Sequence, residues 1–368
     1  MRGPSDPNRS GRRRPIPSAM AENARALAAS GAWEAAAAAW SQFAEAEVEA
    51  GRTAEACQAW CLAADALRRD ERPVAAAAAL DRALADWDGS AARTGSMQQD
   101  AARAVRVGVL LDAGHVAAAV GAAQALADAP SSPGLQVLAL DLLSGALLAA
   151  GRVEDSRAAT QRLSAICPPA AAPAAWFREA IVWRMDGSLA RARGHLHRVL
   201  EQAPAGAAWA GPRAAAQAEL AEIDLLEGKA LEAAAGFSAA EDGWGEAGRQ
   251  SGAHRARAGR LLALAMANLR PDPAPLAEGI ALAVGRGLPL LGTRLLATQG
   301  ALLHHRGAPS GPAFAEAIAQ AEGCGAPLLE GWARWLRFSV GIEAGDGARA
   351  RVCLKDDAVM APRVARMP

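Results

Sequence analysis

Short polar turns and alanine-rich amphipathic stretches alternate along most of this chain. Seven turns are led by glycine: Gly31, Gly51, Gly114, Gly151, Gly187, Gly228 and Gly345. Behind each turn, apolar positions recur at helical spacing. Glycine can adopt the left-handed backbone that ends one helix, and the polar residues after it can cap the next. The pattern therefore predicts an all-α chain of antiparallel helical hairpins.

The spacing of the turns sets the size of the hairpins. From Gly114 to Gly228 the turns lie 37, 36 and 41 residues apart, which leaves room for two helices of about 15 residues in each unit. Four consecutive units are predicted over residues 98–245. Earlier, the turns at Gly31 and Gly51 are 20 residues apart and a third follows at Glu71. Residues 20–87 are therefore interpreted as consecutive helices of one or two longer hairpins, followed by a loop at 88–96.

The two ends of the chain differ from its middle. Residues 1–19 hold five arginines, four prolines and one acidic residue without apolar periodicity. They are predicted to form a disordered basic tail, or else to precede the true start at Met20. Past residue 245, prolines and glycines multiply, and two similar helical phrases align on Pro289 and Pro327. We therefore expect degenerate repeats over residues 246–356 and a frayed tail at 357–368.

Small and large residues recur in a similar order within the units. The best unit has Trp176, Ala180 and Trp183 in its first helix, then Ala192, Leu196 and a closing Pro204. In this order, and over most of residues 20–355, the chain resembles tetratricopeptide (TPR) repeats. Glu179 departs from the family pattern, which prefers leucine there. The resemblance implies an α-solenoid, a TPR-like right-handed superhelix.

In TPR proteins the first helices line a concave groove that receives a peptide or a partner's helix. Carried over to the best-matched units, the groove positions are Asp141, Phe177, Arg184 and Glu222. The mixture of charge and one aromatic ring is typical of polypeptide recognition. The TPR clamp for a terminal carboxylate uses lysines and asparagines on adjacent first helices. We predict that this clamp is absent, because the two lysines, Lys229 and Lys355, lie elsewhere.

Composition narrows the partners and the compartment. The chain has 39 basic and 39 acidic residues, so its charge gives no reason to expect nucleic acid or an anionic membrane as partner. No apolar run is long enough to span a bilayer. Five scattered cysteines do not form a disulfide framework and favour a reducing compartment, which makes the cytoplasm the expected location. Abundant alanine, scarce lysine and absent tyrosine indicate GC-rich codons and a bacterial source.

The candidate catalytic and cofactor motifs lack the neighbouring sequence features that such sites require. Residues 243–248 read G-x-G-x-x-G, but a dinucleotide site needs a strand before them, and residues 232–240 are predicted helix. We interpret them as a flexible loop between hairpins. Cys57 and Cys61 share a helix face without a second ligand pair, and His195 and His197 diverge on theirs. No catalytic residue, cofactor or metal is predicted.

A tryptophan cluster leaves one alternative open. Trp332 and Trp335, beside Phe338, are expected either in the core or as an anchor for a partner or a second copy. The leading hypothesis is a non-catalytic scaffold or adaptor that binds a partner polypeptide in the concave groove, in bacterial signalling, regulation or assembly. The alternative is a helical-repeat regulator that senses a ligand or peptide.

Overall fold

The computed structural model describes residues 17–88, 97–203, 207–341, 346–354 and 360. Within these ranges it contains eighteen α-helices, a short 3-10 helix at Pro169–Ala171 and no strand, so the predicted all-α fold is confirmed. The α-helices are α1 Pro17–Ala29, α2 Trp33–Glu49, α3 Thr53–Arg69, α4 Pro73–Asp88, α5 Met97–Asp112, α6 Val116–Asp128, α7 Pro133–Ala149, α8 Val153–Ile166, α9 Ala172–Met185, α10 Leu189–Gln202, α11 Ala207–Leu226, α12 Ala230–Glu246, α13 Gln250–Met266, α14 Pro275–Arg286, α15 Pro289–His305, α16 Gly311–Cys324, α17 Pro327–Ser339 and α18 Asp346–Cys353.

Consecutive helices pack against each other as antiparallel hairpins throughout these ranges. The units predicted around Gly114, Gly151, Gly187 and Gly228 are the hairpins α5–α6, α7–α8, α9–α10 and α11–α12. Helices α1 to α4 account for the consecutive helices predicted before residue 88. The solenoid of helical hairpins is therefore the architecture of the chain.

The hairpin turns share one hydrogen-bonded geometry. After α5, Gly114 has φ +78° and donates its N–H to the Leu111 carbonyl at 3.0 Å. His115 donates to the Leu110 carbonyl at 2.8 Å, which completes a Schellman motif. The next helix begins one residue later, at Val116. The motif satisfies the last carbonyls of one helix and reverses the chain within three residues.

Alanine allows the helices of a hairpin to approach closely. In the core around α6 and α7, Ala119, Ala139 and Ala146 are fully buried and pack with the nearly inaccessible Leu140 and Leu143. Small side chains bring the helix axes together, and the leucines fill the space between neighbouring hairpins. The small and large positions seen in the sequence are therefore positions of contact.

The odd-numbered helices form an inner layer. Helix α7 contacts α5 and α9, α13 contacts α11 and α15, and α15 contacts α17. Helix α7 also contacts α17, which lies about half the chain away in sequence. The solenoid therefore curves far enough to bring its two halves together.

Three turns of the first half pack on the beginnings of three helices of the second half, a contact that we call the seam. The Glu71 carboxylate accepts hydrogen bonds from the Ser251 backbone N–H at 2.9 and 3.0 Å and from its hydroxyl at 2.5 Å. A Cβ placed on Gly114 would lie 2.7 Å from Cγ of Pro289. One placed on Gly151 would lie 2.6 Å from Cγ of Pro327. The seam thus joins the ends of α3, α5 and α7 to the starts of α13, α15 and α17.

The prediction of a loop at residues 243–248 is wrong for residues 243–246, which are helical. Helix α12 continues to Glu246, and Gly248, with φ +66°, makes the turn. A Cβ on Gly243 would come within 3.1 Å of Cβ of Ala214 on α11, so this glycine permits a close helix contact. The α-helical hydrogen bonds tolerate such a glycine when tertiary packing compensates for its low helix propensity.

Several predicted boundaries fall at or beyond the described residues. Helix α1 begins at Pro17, inside the predicted tail of residues 1–19. Residues 1–16, residues 89–96 of the predicted loop, the closing Pro204, the turn glycine Gly345, and residues 355–359 and 361–368 lie outside the described ranges. Asp88, predicted as the first residue of the loop, is instead the last residue of α4. In the later part of the chain, Pro289 and Pro327 are the first residues of α15 and α17, where the missing N–H of proline costs no helical hydrogen bond.

We predict that Gly151→Ala lowers the urea midpoint of unfolding more than Gly228→Ala does. Both glycines have positive φ, so either alanine costs about 1 to 2 kcal/mol from the left-handed backbone. At Gly151 the new Cβ also meets Pro327, and overpacking of this kind adds about 1 to 3 kcal/mol.

Gly228→Ala is the matched control, because nothing lies within 4 Å of a Cβ at that turn. Equal midpoint shifts for the two variants would contradict the seam contact between α7 and α17.

Candidate binding groove

The inner layer encloses three adjoining cavities, which together we call the inner groove. The wide cavity has a volume of about 1230 Å³ and is lined by Asp141, Phe177 and residues of the α12–α13 turn. The bridging cavity, about 370 Å³, shares Phe177 with it. The apolar cavity, about 390 Å³, shares Glu222 and Arg294 with the bridging cavity. These shared walls make one continuous depression.

All four residues predicted at the groove lie on inner helices and line these cavities. Asp141 on α7 and Phe177 on α9 line the wide cavity, while Arg184 on α9 and Glu222 on α11 line the apolar cavity. The fold therefore brings them into one groove. Whether they contact a partner remains a prediction.

The charged groove residues form ion pairs between neighbouring inner helices. Nε of Arg178 on α9 donates to the Asp141 carboxylate on α7 at 2.6 Å. Nε of Arg184 on α9 donates to Glu219 on α11 at 3.1 Å. These ion pairs fix the position of α9 relative to α7 and α11, because each charge-assisted hydrogen bond orients both of the side chains that it joins.

Glu219 is the most buried charge in the groove, with 7% of its surface exposed. Its second oxygen lies 3.5 Å from Nη2 of Arg255 on α13. Burial favours the neutral acid, but Arg184, Arg255 and Arg294 outweigh that effect and hold the pKa of Glu219 below its ordinary value. The group is therefore a carboxylate at neutral pH.

Arg294 on α15 links the second half of the chain to the groove. It donates to the Glu222 carboxylate, and its guanidinium carbon lies 5.2 Å from the centre of the Trp332 ring. Burial lowers the pKa of Arg294 to about 10, although Glu219 opposes the shift. Trp332 and Trp335 are half-buried, contact the core of α13 to α17, and also line the apolar cavity. The core and anchor interpretations of this cluster are thus compatible.

Sequence reasoning missed Arg178, Glu219, Arg255 and Arg294. One signal was available for two of them: Asp141 and Arg178 are 37 residues apart, and Arg184 and Glu219 are 35 apart. These separations match the length of one repeat, so opposite charges at equivalent positions indicated a bridge between adjacent units.

The cysteines and histidines considered as metal ligands lie next to other groups of the protein. Cys57 is buried and its thiol lies 3.3 Å from the Ala83 carbonyl, while burial raises the pKa of Cys61 to about 12. Nδ1 of His195 lies 3.0 Å from the Glu179 carboxylate. Within the described ranges, no three His, Cys, Asp or Glu side chains are grouped so that they could hold a metal ion. A search of the same residues finds no helix long and apolar enough to cross a membrane.

Comparisons with known proteins find no matching family and a distant structural likeness. No protein-family model and no curated protein matches the chain. Among solved structures, the crystal structure of the APC/C hetero-tetramer Cut9-Hcn1 is similar at 11% identity, over 95% of this chain and 79% of that one, with a TM-score of 0.38. Nothing about the partners of this chain follows from so distant a likeness.

We predict that Glu219→Gln lowers the free energy of unfolding by about 1 to 3 kcal/mol at neutral pH, because it leaves the partly exposed Arg184 and Arg255 without their shared carboxylate. The pKa of Glu219 is lowered on folding, so its stabilising effect is complete above the unfolded value of about 4.3 and is lost as pH falls through the folded value. Urea unfolding across this pH range should show the difference between wild type and variant shrinking in acid.

Glu201→Gln, at an exposed site on α10, is the control and should change stability by less than about 0.5 kcal/mol. A Glu219→Gln variant as stable as this control would contradict the proposed charge network.

Proposed function

We propose that the chain is a non-catalytic scaffold or adaptor that binds a partner polypeptide in the inner groove. The observation that supports this most is that successive inner helices each contribute side chains to one continuous depression: α7, α9, α11 and α13 all line it. A polypeptide can follow such a row of equivalent positions, making one set of contacts per repeat. We place this role in bacterial signalling, regulation or assembly, and in the cytoplasm.

The size of the wide cavity favours a polypeptide. Its volume of about 1230 Å³ exceeds the range of about 300 to 1000 Å³ that is usual for small-molecule sites. Its walls also combine the aromatic rings of Phe177 and Trp244 with charged side chains. Aromatic anchors surrounded by polar groups are typical of protein interfaces.

The charge state of the groove argues against catalysis there. A general base works best with a pKa near the working pH, whereas the neighbouring arginines lower the pKa of Glu219. Arg184 and Arg294 each form an ion pair, with Glu219 and Glu222 respectively. In this proposal the charges position helices and contact a partner.

A second candidate function is the sensing of a small ligand. The apolar cavity, about 390 Å³ and lined by Leu225, Trp332 and Trp335, falls within the size range of a small-molecule site. A ligand bound there would contact both halves of the solenoid and raise the melting temperature. A small-molecule thermal-shift screen separates this candidate from the scaffold.

We predict that the tagged chain captures a stoichiometric partner from a lysate of its source organism, and that Phe177→Ala combined with Arg255→Glu abolishes the capture. Both side chains line the groove, and Arg255 is exposed enough for its replacement to be tolerated. Arg184 is the less suitable site for charge reversal, because it is less exposed than Arg255 and lies closer to the buried Glu219, at 3.1 against 3.5 Å. Mass spectrometry of the captured proteins is the measurement.

The matched control combines Arg162→Glu and Arg198→Glu, two exposed positions on the outer helices α8 and α10. A partner retained by the groove variant and lost by the control would place binding on the outer surface and contradict the proposal. Circular dichroism melts would establish that both variants are folded.

A further inference from the structure

We propose that the inner groove takes an acidic segment of its partner that carries one bulky apolar side chain. This inference rests on the proposed function, because it gives the chemistry of the occupant of the same groove. It is drawn from two neighbouring features: guanidinium groups with unused donors on α13 and beside it, and the apolar cavity next to them.

Arginines outnumber carboxylates on the groove walls. Among the described residues lining the three cavities there are seven arginines and four carboxylates, although the chain as a whole has 39 residues of each sign. From outside the lining, Asp65 pairs with Arg68 and Arg69 at 3.7 and 2.8 Å, and a Glu71 oxygen lies 3.6 Å from Nε of Arg249. The arginines other than Arg68 and Arg69 are Arg178, Arg184, Arg249, Arg255 and Arg294.

Most donors of these five groups have no acceptor among the residues that the structure describes. A guanidinium has five N–H donors. Arg184 and Arg294 each donate one side-chain hydrogen bond, to Glu219 and Glu222. Arg255 makes one long contact of 3.5 Å and is half-exposed. The groove therefore offers more donors than its own carboxylates accept.

Arg249 is the least satisfied of the group. Its Nε is buried without a hydrogen-bond partner, and the nearest carboxylate oxygen, on Glu71, is 3.6 Å away. That oxygen already accepts hydrogen bonds from Ser251. Arg249 lies at the start of α13 and lines both the wide and the bridging cavity, on the same walls as Phe177 and Trp244. Because 28% of the Arg249 side chain is exposed, a carboxylate in the wide cavity can pair with the accessible part of this guanidinium.

The apolar side chains of the apolar cavity indicate the second element of the ligand. Leu225, Leu262, Leu328 and Trp335 line this cavity together with four arginines and two glutamates, which include the ion pair of Glu222 with Arg294. A volume of about 390 Å³ accommodates one large side chain, and burying it would contribute about 1.5 to 3 kcal/mol. A partner segment with acidic residues and one such side chain fits both features together.

Nucleic acid is the less favoured occupant. Its phosphates could meet Arg249 and Arg255, and a base could stack on Trp335. However, the groove's own Asp141, Glu219 and Glu222 oppose a continuous phosphate backbone. Nucleic-acid binding also relies on a basic surface, whereas this chain has no net charge. The acidic peptide is therefore the occupant that we test.

The test is a display selection of random dodecapeptides on the full-length chain, with counter-selection on the Arg255→Gln variant. We expect the recovered peptides to be rich in aspartate and glutamate and to share one leucine, phenylalanine or tryptophan. A synthetic copy of the best peptide should bind Arg255→Gln and Arg249→Gln at least about tenfold more weakly than wild type. Its affinity should fall as salt rises, and replacing its acidic residues by lysine should abolish binding.

Controls separate this inference from the proposed function. Arg162→Gln and Arg198→Gln remove the same charges from the outer helices and should leave the affinity unchanged. If the selected peptides were neutral or basic and bound the Phe177→Ala variant more weakly than wild type, the acidic chemistry would be overturned and binding in the groove would be supported. Failure to enrich any peptide above the bare support would overturn both. Tighter binding of a random-sequence RNA than of the selected peptide would also overturn the inference.

Discussion

The left-handed residue that ends most helices is the constraint on which the rest of this structure depends. An ordinary L-residue there costs about 1 to 2 kcal/mol, and in the described ranges eleven glycines with positive φ supply the conformation. Each Schellman turn reverses the chain, so that the two helices it joins pack antiparallel. The stacked hairpins curve, and the curvature brings α7 against α17. The inner groove exists because of that closure.

Glu71 is an exception to the use of glycine at the turns, and its contact across the seam accounts for the exception. It has φ +60° where eleven other turns of the described chain have glycine and one has Asn268, and its buried carboxylate accepts a hydrogen bond from the backbone N–H of Ser251 in the first turn of α13. A carboxylate at a helix N-terminus is stabilised both by free N–H groups and by the helix dipole. That gain offsets the backbone strain. The side chain thus serves a helix 180 residues away in sequence.

The sequence predicted what depends on neighbours along the chain, and little of what depends on curvature. Helix lengths and the turns at Gly114 or Gly228 follow from local patterns, so they are confirmed. The error at residues 243–248 arose because a glycine-rich run has the same letters in a loop and in a helix packed on Ala214. The pair of Arg294 with Glu222 spans 72 residues, a separation fixed by the path of the superhelix. No repeat period encodes it.

The internal ion pairs give the groove its selectivity as well as its shape. Asp141 and Glu219 neutralise part of the arginine charge in advance, so a generic polyanion gains less from entering than it would on an open basic surface. A ligand gains most where donors are still unused, at Arg249 and Arg255, and where apolar surface remains to be covered near Trp335. Because the pairs hold α7, α9 and α11 in place before binding, little ordering free energy opposes complex formation. Closure of the solenoid and charge pairing between inner helices thus fix the groove before a ligand enters it.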